Sequence, residues 1–147
     1  PILLDTNVLV YAHDPAEGPK QQRAIQVLDD LQIGGLGQLT VQVLGEFFVA
    51  VTRGPNPRLA VEDAAQQADL LARSFTVLSL TPLIIFEALR GVQQRSMGYW
   101  DAQIWATARL NQIPVIFSED FNAGATIEGV RFANPFAEGF RLDDWLT

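Results

Sequence analysis

Four acidic residues, Asp5, Glu46, Asp101 and Asp120, stand in four separate segments of the chain, each beside apolar sequence. Asp5 closes Ile2-Leu3-Leu4 and is followed by Thr6-Asn7. Glu46 interrupts the apolar stretch 41–51. Asp101 follows Tyr99-Trp100 at the head of Ala102-Gln103-Ile104-Trp105-Ala106, and Asp120 closes Pro114-Val115-Ile116-Phe117-Ser118-Glu119. A carboxylate against apolar neighbours is costly unless it is paired or holds a cation. The chain has one His, His13, distant in sequence from the last three acids, and no Cys. An all-oxygen donor set of this kind points to hard divalent cations. The missing Cys excludes disulfides, zinc–thiolate centres and thiol nucleophiles. The lone His excludes a histidine dyad and reads as a surface or packing residue.

The elements that must position these acids follow from apolar periodicity and breakers. Strands are expected at 2–4, briefly at Leu39, at 76–80, at 115–117 and at 129–132. Helices are expected at 7–12 (capped by Thr6 or Asn7), 20–31, 41–52 (capped by Thr40), 61–74, 82–95 (opened by Thr81-Pro82) and 99–111. Residues 34–37 and 54–57 read as loops, and the tail 137–147 is mixed. Strands separated by helices imply a parallel sheet with helices on both faces. Sites in such sheets form beyond the carboxyl ends of the strands, where Asp5 and Asp120 fall. Glu46 and Asp101 fall on helices. Glu46, with Val43 and Phe47 as helical neighbours, is expected to point into an apolar neighbourhood rather than into solvent. Asp101 shares its face with Ile104, Trp105 and Ala108 and is expected at the edge of a core.

The bulk properties bound the function. A chain of 147 residues with 48% hydrophobic and 18% charged residues is one globular domain, 1–147. No apolar run reaches the ~18–20 residues of a membrane span. No signal-peptide pattern opens the chain, and a start at Pro1 suggests an initiator Met removed or left out of the numbering. Together with the absence of Cys this sets the expectation of a reducing, cytoplasmic setting. A net charge of −7 counts against broad, sequence-independent nucleic-acid binding. It leaves room for a small basic rim beside a metal site, or for a basic protein partner on an acidic face.

The motifs Leu3-Leu4-Asp5-Thr6-Asn7-Val8-Leu9, Glu46 in a mid-chain helix, Tyr99-Trp100-Asp101-Ala102 and Ser118-Glu119-Asp120-Phe121 resemble those of the PIN-domain family in order and spacing. The closing Gly129-Val130-Arg131-Phe132-Ala133-Asn134-Pro135-Phe136 is similar to the end of many VapC-type toxins, so the resemblance spans essentially the whole chain. It implies a three-layer α/β/α fold with a central parallel sheet. The activity it implies is that of a metal-dependent endoribonuclease, usually the toxin of a toxin–antitoxin pair. RNA would be the substrate, a small VapB-like antitoxin the partner, and a homodimer the assembly. Asp5, Glu46, Asp101 and Asp120 carry over as the acidic site positions.

That chemistry suits the residues. Phosphodiester hydrolysis needs an activated water, charge neutralisation and a stabilised leaving oxygen, which one or two Mg²⁺ or Mn²⁺ ions can supply. Asp5 and Asp101 are read as the main metal ligands. Glu46 and Asp120 would act directly, through water, or on a second ion. Four carboxylates so close should raise at least one pKa in the metal-free protein. Plainer roles are available: Asp5 as a helix cap, Glu46 as a solvated helix residue, Asp101 as a first-turn acid favoured by the helix dipole. Strand alternation sets Ser118 and Asp120 apart from Glu119, which favours Asp120 over its neighbour. Ser118, Thr6 and Asn7 could support the acids or cap turns. Trp100 and Trp105 could stack on a base, or pack in the core or a dimer contact. Arg53, Arg58, Arg90 and Arg95 are the candidates for phosphate contact. Glu62-Asp63 and Asp143-Asp144 read as solvated acids. A haloacid-dehalogenase-type phosphatase would need an acid where Asn7 stands, and a receiver domain an acidic pair with a late Lys; neither fits. A catalytically silent PIN-like scaffold that binds protein or RNA remains the alternative.

Overall fold

The computed structural model describes residues 1–121 and 124–146. In chain order, β1 (Ile2–Leu4) leads into α1 (Thr6–Ala12), a 3-10 turn at Pro15–Glu17 and α2 (Pro19–Gly34). β2 (Gly37–Thr40) feeds α3 (Val41–Thr52), followed by α4 (Val61–Ser74) and β3 (Thr76–Leu78). The pair α5 (Pro82–Arg95) and α6 (Tyr99–Leu110) precedes β4 (Val115–Phe117). β5 (Thr126–Ile127), β6 (Val130–Ala133) and a 3-10 turn at Leu142–Trp145 follow. No helix among the described residues is long and apolar enough to cross a membrane.

The strands form one sheet in the order β3-β2-β1-β4-β6-β5. All neighbours are parallel except β5 and β6. β1 is only three residues long, yet Ile2, Leu3 and Leu4 are all buried. An apolar run without alternation suits a central strand covered on both faces. One group of helices packs α1 on α2 and α3, and α3 on α4; α5 pairs with α6. The architecture is the expected three-layer α/β/α with a mostly parallel sheet.

Local chemistry fixes the ends of the elements. Thr40 caps α3 by accepting from the Val43 N–H at 3.0 Å, and Thr81 caps α5 by accepting from Ile84 at 3.3 Å. α2 runs on through Gly34, past the expected end, and stops at Gly35, whose φ of 66° is left-handed. The antiparallel edge was missed in the sequence. Its strand β5 has two residues, too few for alternation, and its turn is Glu128-Gly129, with φ of 47° and 85°. Such turns need positive φ at both central residues, which Asn-Gly ordinarily signals. Here the first central residue is Glu128, whose side chain pairs with Arg90 at 2.9 Å and Arg95 at 3.3 Å.

α5 and α6 approach closely because Gly91 carries no side chain. A Cβ there would lie 2.9 Å from Cζ3 of Trp105. Trp105 is fully buried, its indole N–H donates to the Ile127 carbonyl at 3.1 Å, and Arg90 lies over its ring. This removes Trp105 from base stacking and from any dimer contact. Those readings fail because the α6 segment 102–108 is buried throughout, which one-sided helical spacing does not show.

Candidate active site

The order of the sheet reverses at β1, with β2 on one side and β4 on the other, the place where open α/β sheets form sites. Leu4 is in register with Phe117, so the next residues, Asp5 and Ser118, leave the sheet side by side. The Asp5 N–H donates to the Phe117 carbonyl at 3.0 Å, and the Ser118 hydroxyl donates to Asp5 Oδ2 at 2.7 Å. Asp5 Oδ1 accepts from the Thr6 N–H at 2.8 Å. Asp5 is therefore the cap of α1 as well as a candidate site acid, where Thr6 or Asn7 was expected to cap.

Thr6 and Asn7 are free for other work. The Thr6 hydroxyl donates to Glu46 Oε2 at 2.8 Å. The Asn7 amide donates to Asp120 Oδ2 at 3.2 Å and accepts from the Glu119 N–H at 3.4 Å. Three consecutive residues thus tie down two other segments: Asp5 and Asn7 reach Ser118 and Asp120 just past β4, and Thr6 reaches Glu46 on α3. Ser118 also accepts from the Asp120 N–H at 3.3 Å. Asp101 lies in the first turn of α6.

Glu46 differs from its expected setting. Val43 and Phe47 are buried, but Glu46 is exposed, on the helix side that carries Gln42 and Gly45. Helical neighbours at i−3 and i+1 straddle the apolar stripe, and Glu46 falls on its outer margin, facing the other acids.

The electrostatics tie the four together. The Asp5 carboxyl is pushed up first by burial, and further by Glu46 and Asp101, against the hydrogen bonds from Ser118 and Thr6. Asp101 is also pushed up, by desolvation, then by Asp120, then by Glu46. The expected rise is present, with burial rather than mutual repulsion as its leading cause. Among the described residues none of the four has an ion-pair partner; the pairs involve Asp14, Asp69, Glu87, Glu119 and Glu128 instead. Nor do any three acids there converge as a ready-made cage. The site is a cluster held by neutral side chains, open to solvent on the Glu46 and Asp120 side.

Glu119 belongs elsewhere. Its oxygens accept from the Tyr11 hydroxyl at 2.5 Å and pair with Lys20 at 2.8 Å. Lys20 and Tyr11 hold its carboxyl below the usual range, against its burial. His13 packs edge-on to Phe47 and bonds the Leu9 carbonyl at 2.8 Å, a packing role.

From Thr6, Glu46 and Asp120 an open groove of about 890 Å³ runs past Val49 and Trp100 to Arg53 and Arg58. Trp100 is 64% exposed. Arg58 is anchored at 2.5 Å to Asp14, whose carboxyl it holds low. Arg90 and Arg95 do not reach the site. Arg90 is taken up by Glu87, three residues earlier on the same helix, and Arg90 and Arg95 both reach Glu128, 38 and 33 residues away, which periodicity could not pair with them. The sequence reading also missed Gln42 and Gln103. Gln42 donates to Glu46 Oε1 and accepts from Gln103 at 2.6 Å. The i,i+4 spacing of Gln42 and Glu46 was the available signal.

The PIN domain model matches residues 2–126. No functionally curated protein matches the chain. Among solved structures, the chain resembles a toxin–antitoxin complex from Klebsiella pneumoniae with a TM-score of 0.66 and 20% identity, over 92% of this chain and 98% of that one. It resembles VapC20 of Mycobacterium tuberculosis, described as a sarcin–ricin loop cleaving toxin, with a TM-score of 0.65 and 19% identity, over 87% and 98%. VapBC2 from Rickettsia felis, bound to a DNA fragment from its promoter, gives 0.65 and 16%, over 90% and 97%. At these identities the likeness to each structure is one of fold.

Proposed function

The chain belongs to the PIN-domain family, and on that premise we propose that it is a Mg²⁺- or Mn²⁺-dependent endoribonuclease, the toxin of a VapBC-like pair. The observation that carries this reading is the cluster of four carboxylates, delivered by four segments to one end of the sheet, none with a cationic partner among the described residues. An oxygen-only donor set with two carboxyls pushed up suits a hard divalent cation. Asp5 and Asp101 would hold it, with Glu46 and Asp120 acting directly, through water or on a second ion. A bound ion supplies Lewis acidity and an activated water. The chain's own residues do the rest. Ser118 and the Thr6 N–H orient Asp5, the Thr6 hydroxyl orients Glu46, and Asn7 orients Asp120. Arg53 and Arg58 offer positive charge to a phosphate at the far end of the groove, and Trp100 offers an unpaired base a face.

The partners follow from the same surfaces. An antitoxin segment lying in the groove could place a basic side chain among the acids and compete with the cation. Co-expression of the neighbouring small gene should then restore growth, and the complex should take up less Mn²⁺ than the free chain. Leu83, Phe86 and Leu110 are exposed at 71%, 65% and 42% and line a shallow hollow on the α5–α6 pair. A second copy would cover it by a twofold contact. Ile84 and Ala88, on the same helix, are buried in the protomer and would take no part in such a contact. Sedimentation should show a dimer at tens of micromolar, and a monomer would count against it. The absence of Cys fits a cytoplasmic setting.

The deciding experiment is cleavage of single-stranded and hairpin RNA by the purified chain with Mg²⁺ or Mn²⁺, then in chelator. Cleavage should require the ion and vanish in Asp101→Asn. Unchanged activity in excess chelator would sink the mechanism. RNA binding without cleavage under any ion would leave the silent scaffold.

A further inference from the structure

Gln103 lies in the middle of α6, on a stretch buried from Ala102 to Ala108, and is itself 3% exposed. A Leu or Met would fill such a position without the cost of burying an amide. The amide is satisfied at both ends. Its oxygen accepts from the Tyr99 hydroxyl at 2.8 Å, and its NH₂ donates to the Gln42 oxygen at 2.6 Å. The Gln42 NH₂ donates in turn to Glu46 Oε1, whose other oxygen accepts from Thr6.

The direction of this chain follows from chemistry and does not depend on how the amides are drawn. An ionised carboxylate only accepts, so Gln42 must turn its NH₂ to Glu46. Its oxygen then faces Gln103, which must donate, and the Gln103 oxygen is left to the tyrosine hydroxyl. Reversing either amide sets oxygen against oxygen. The chain also joins two elements that carry site acids. α3 bears Glu46 and α6 bears Asp101, but α3 packs mainly on α1 and α4, and α6 on α5. The Gln42–Gln103 bond is a direct polar tie between the two helices at the site.

We infer that Gln42 and Gln103 are positioning residues, which fix the Glu46 carboxylate relative to Asp101 through one directional amide chain anchored at Tyr99. The inference rests on the proposed metal-dependent nuclease for its effect on turnover, but not for its effect on Glu46 itself. Residues that orient a metal-binding carboxylate typically change affinity or activity by about 10–100-fold when removed.

The test uses Gln103→Leu, Gln42→Leu, their double variant and Tyr99→Phe, in the whole chain. The carboxylate ¹³C resonance of Glu46, assigned with Glu46→Gln, is followed in chelator; Mn²⁺ affinity is measured by calorimetry, and kcat and KM on RNA are measured separately. Both single variants should shift or broaden the Glu46 signal and weaken Mn²⁺ binding. Each should lower kcat about tenfold with little change in KM. The double variant should be no worse than the stronger single, because one chain is cut twice. Tyr99→Phe should have the smallest effect. If Gln103→Leu does not fold, Gln42→Leu at its half-buried position decides. An unchanged Glu46 resonance in folded single variants would overturn the inference, as would wild-type Mn²⁺ affinity and kcat in both. A wild-type chain that neither binds Mn²⁺ nor cuts RNA would overturn the nuclease reading, and the Glu46 resonance would still judge the positioning.

Discussion

Two clusters of acids in this fold are treated in opposite ways. At the turn between β5 and β6, Glu128 pairs with Arg90 and Arg95, and Glu87 pairs with Arg90 and Arg109. Arg90, then Arg95, hold the Glu128 carboxyl below the usual range. At the ends of β1 and β4, Asp5 and Asp101 are pushed the other way, with neutral donors and other acids for neighbours. A chain of net charge −7 does not lack arginine near its structural acids, so the bareness of the second cluster is a property of the site. Paired acids join elements, and the unpaired acids are the ones to which the proposed function assigns a cation.

The sharpest way to break this contrast is to neutralise one acid of each kind. Asp5→Asn should lower RNA cleavage by about a thousandfold or more, the scale of losing a group that acts on the developing charge. The fold should survive, since Asn can still accept from Thr6. Glu87→Gln should do the reverse. It takes from Arg109, whose Nε is already buried without a hydrogen-bond partner, the nearer of its two counter-charges, leaving only Glu128 at 3.7 Å. The expected cost is about 2 kcal/mol, or a fall of roughly 4–8 °C in Tm for a chain of this size, with cleavage at the permissive temperature unchanged. Comparable activity losses in the two variants would erase the distinction.

A gentler test is the pH dependence of the metal-free protein. A carboxyl whose folded pKa is raised binds its proton more tightly in the folded state. Stability therefore falls as pH rises from the unfolded value toward the folded one. For Asp5 and Asp101 that window opens above 3.8. Asp14, Glu119 and Glu128 are lowered, so their contribution is lost only as pH falls below their unfolded values. In chelator, Tm should decline as pH rises above that opening, and added Mn²⁺ should restore it. Asp5→Asn should flatten the decline. A Tm that rises steadily across the same window in chelator would contradict the assignment.

The contrast was half legible in the sequence. Apolar runs ending in Asp5 and Asp120 located the strand ends, and the order of the four acids carried the family. What could not be read was adjacency. Nothing local says that β1 pairs with β4, and only that pairing places Ser118 on Asp5. Glu46 was placed on its helix correctly but turned inward, because Val43 and Phe47 frame an apolar stripe whose edge a periodicity cannot locate. Glu128 escaped notice altogether. Its partners lie 38 and 33 residues away, and its left-handed turn lacks the Asn-Gly that announces one. Trp105 is read in the sequence as core, dimer contact or base platform alike, and the burial of 102–108 leaves only the core.

The smallest expected effect comes from the acid on the boundary between the two classes. Glu119 is next to Asp120 in sequence but is built like Glu128, with a cation and a hydroxyl on its two oxygens. Glu119→Gln should leave cleavage within about twofold, where Asp120→Asn should lose most of it. Its pair with Lys20 is half exposed, so Tm should move by no more than roughly 2 °C. The change should show instead in Tyr11. Its hydroxyl pKa is pushed up to about 12, first by the hydrogen bond to Glu119, then by burial and by the charge of the same carboxylate. Gln keeps an oxygen that can accept the phenol proton but removes the charge, so Tyr11 should titrate lower, toward the ordinary tyrosine value of 10. Phenolate absorbance, with Tyr11→Phe to assign the signal, reads this directly. If cleavage fell as far in Glu119→Gln as in Asp120→Asn, Glu119 would belong with the site acids, and pairing with a cation would no longer tell a structural carboxylate from a catalytic one.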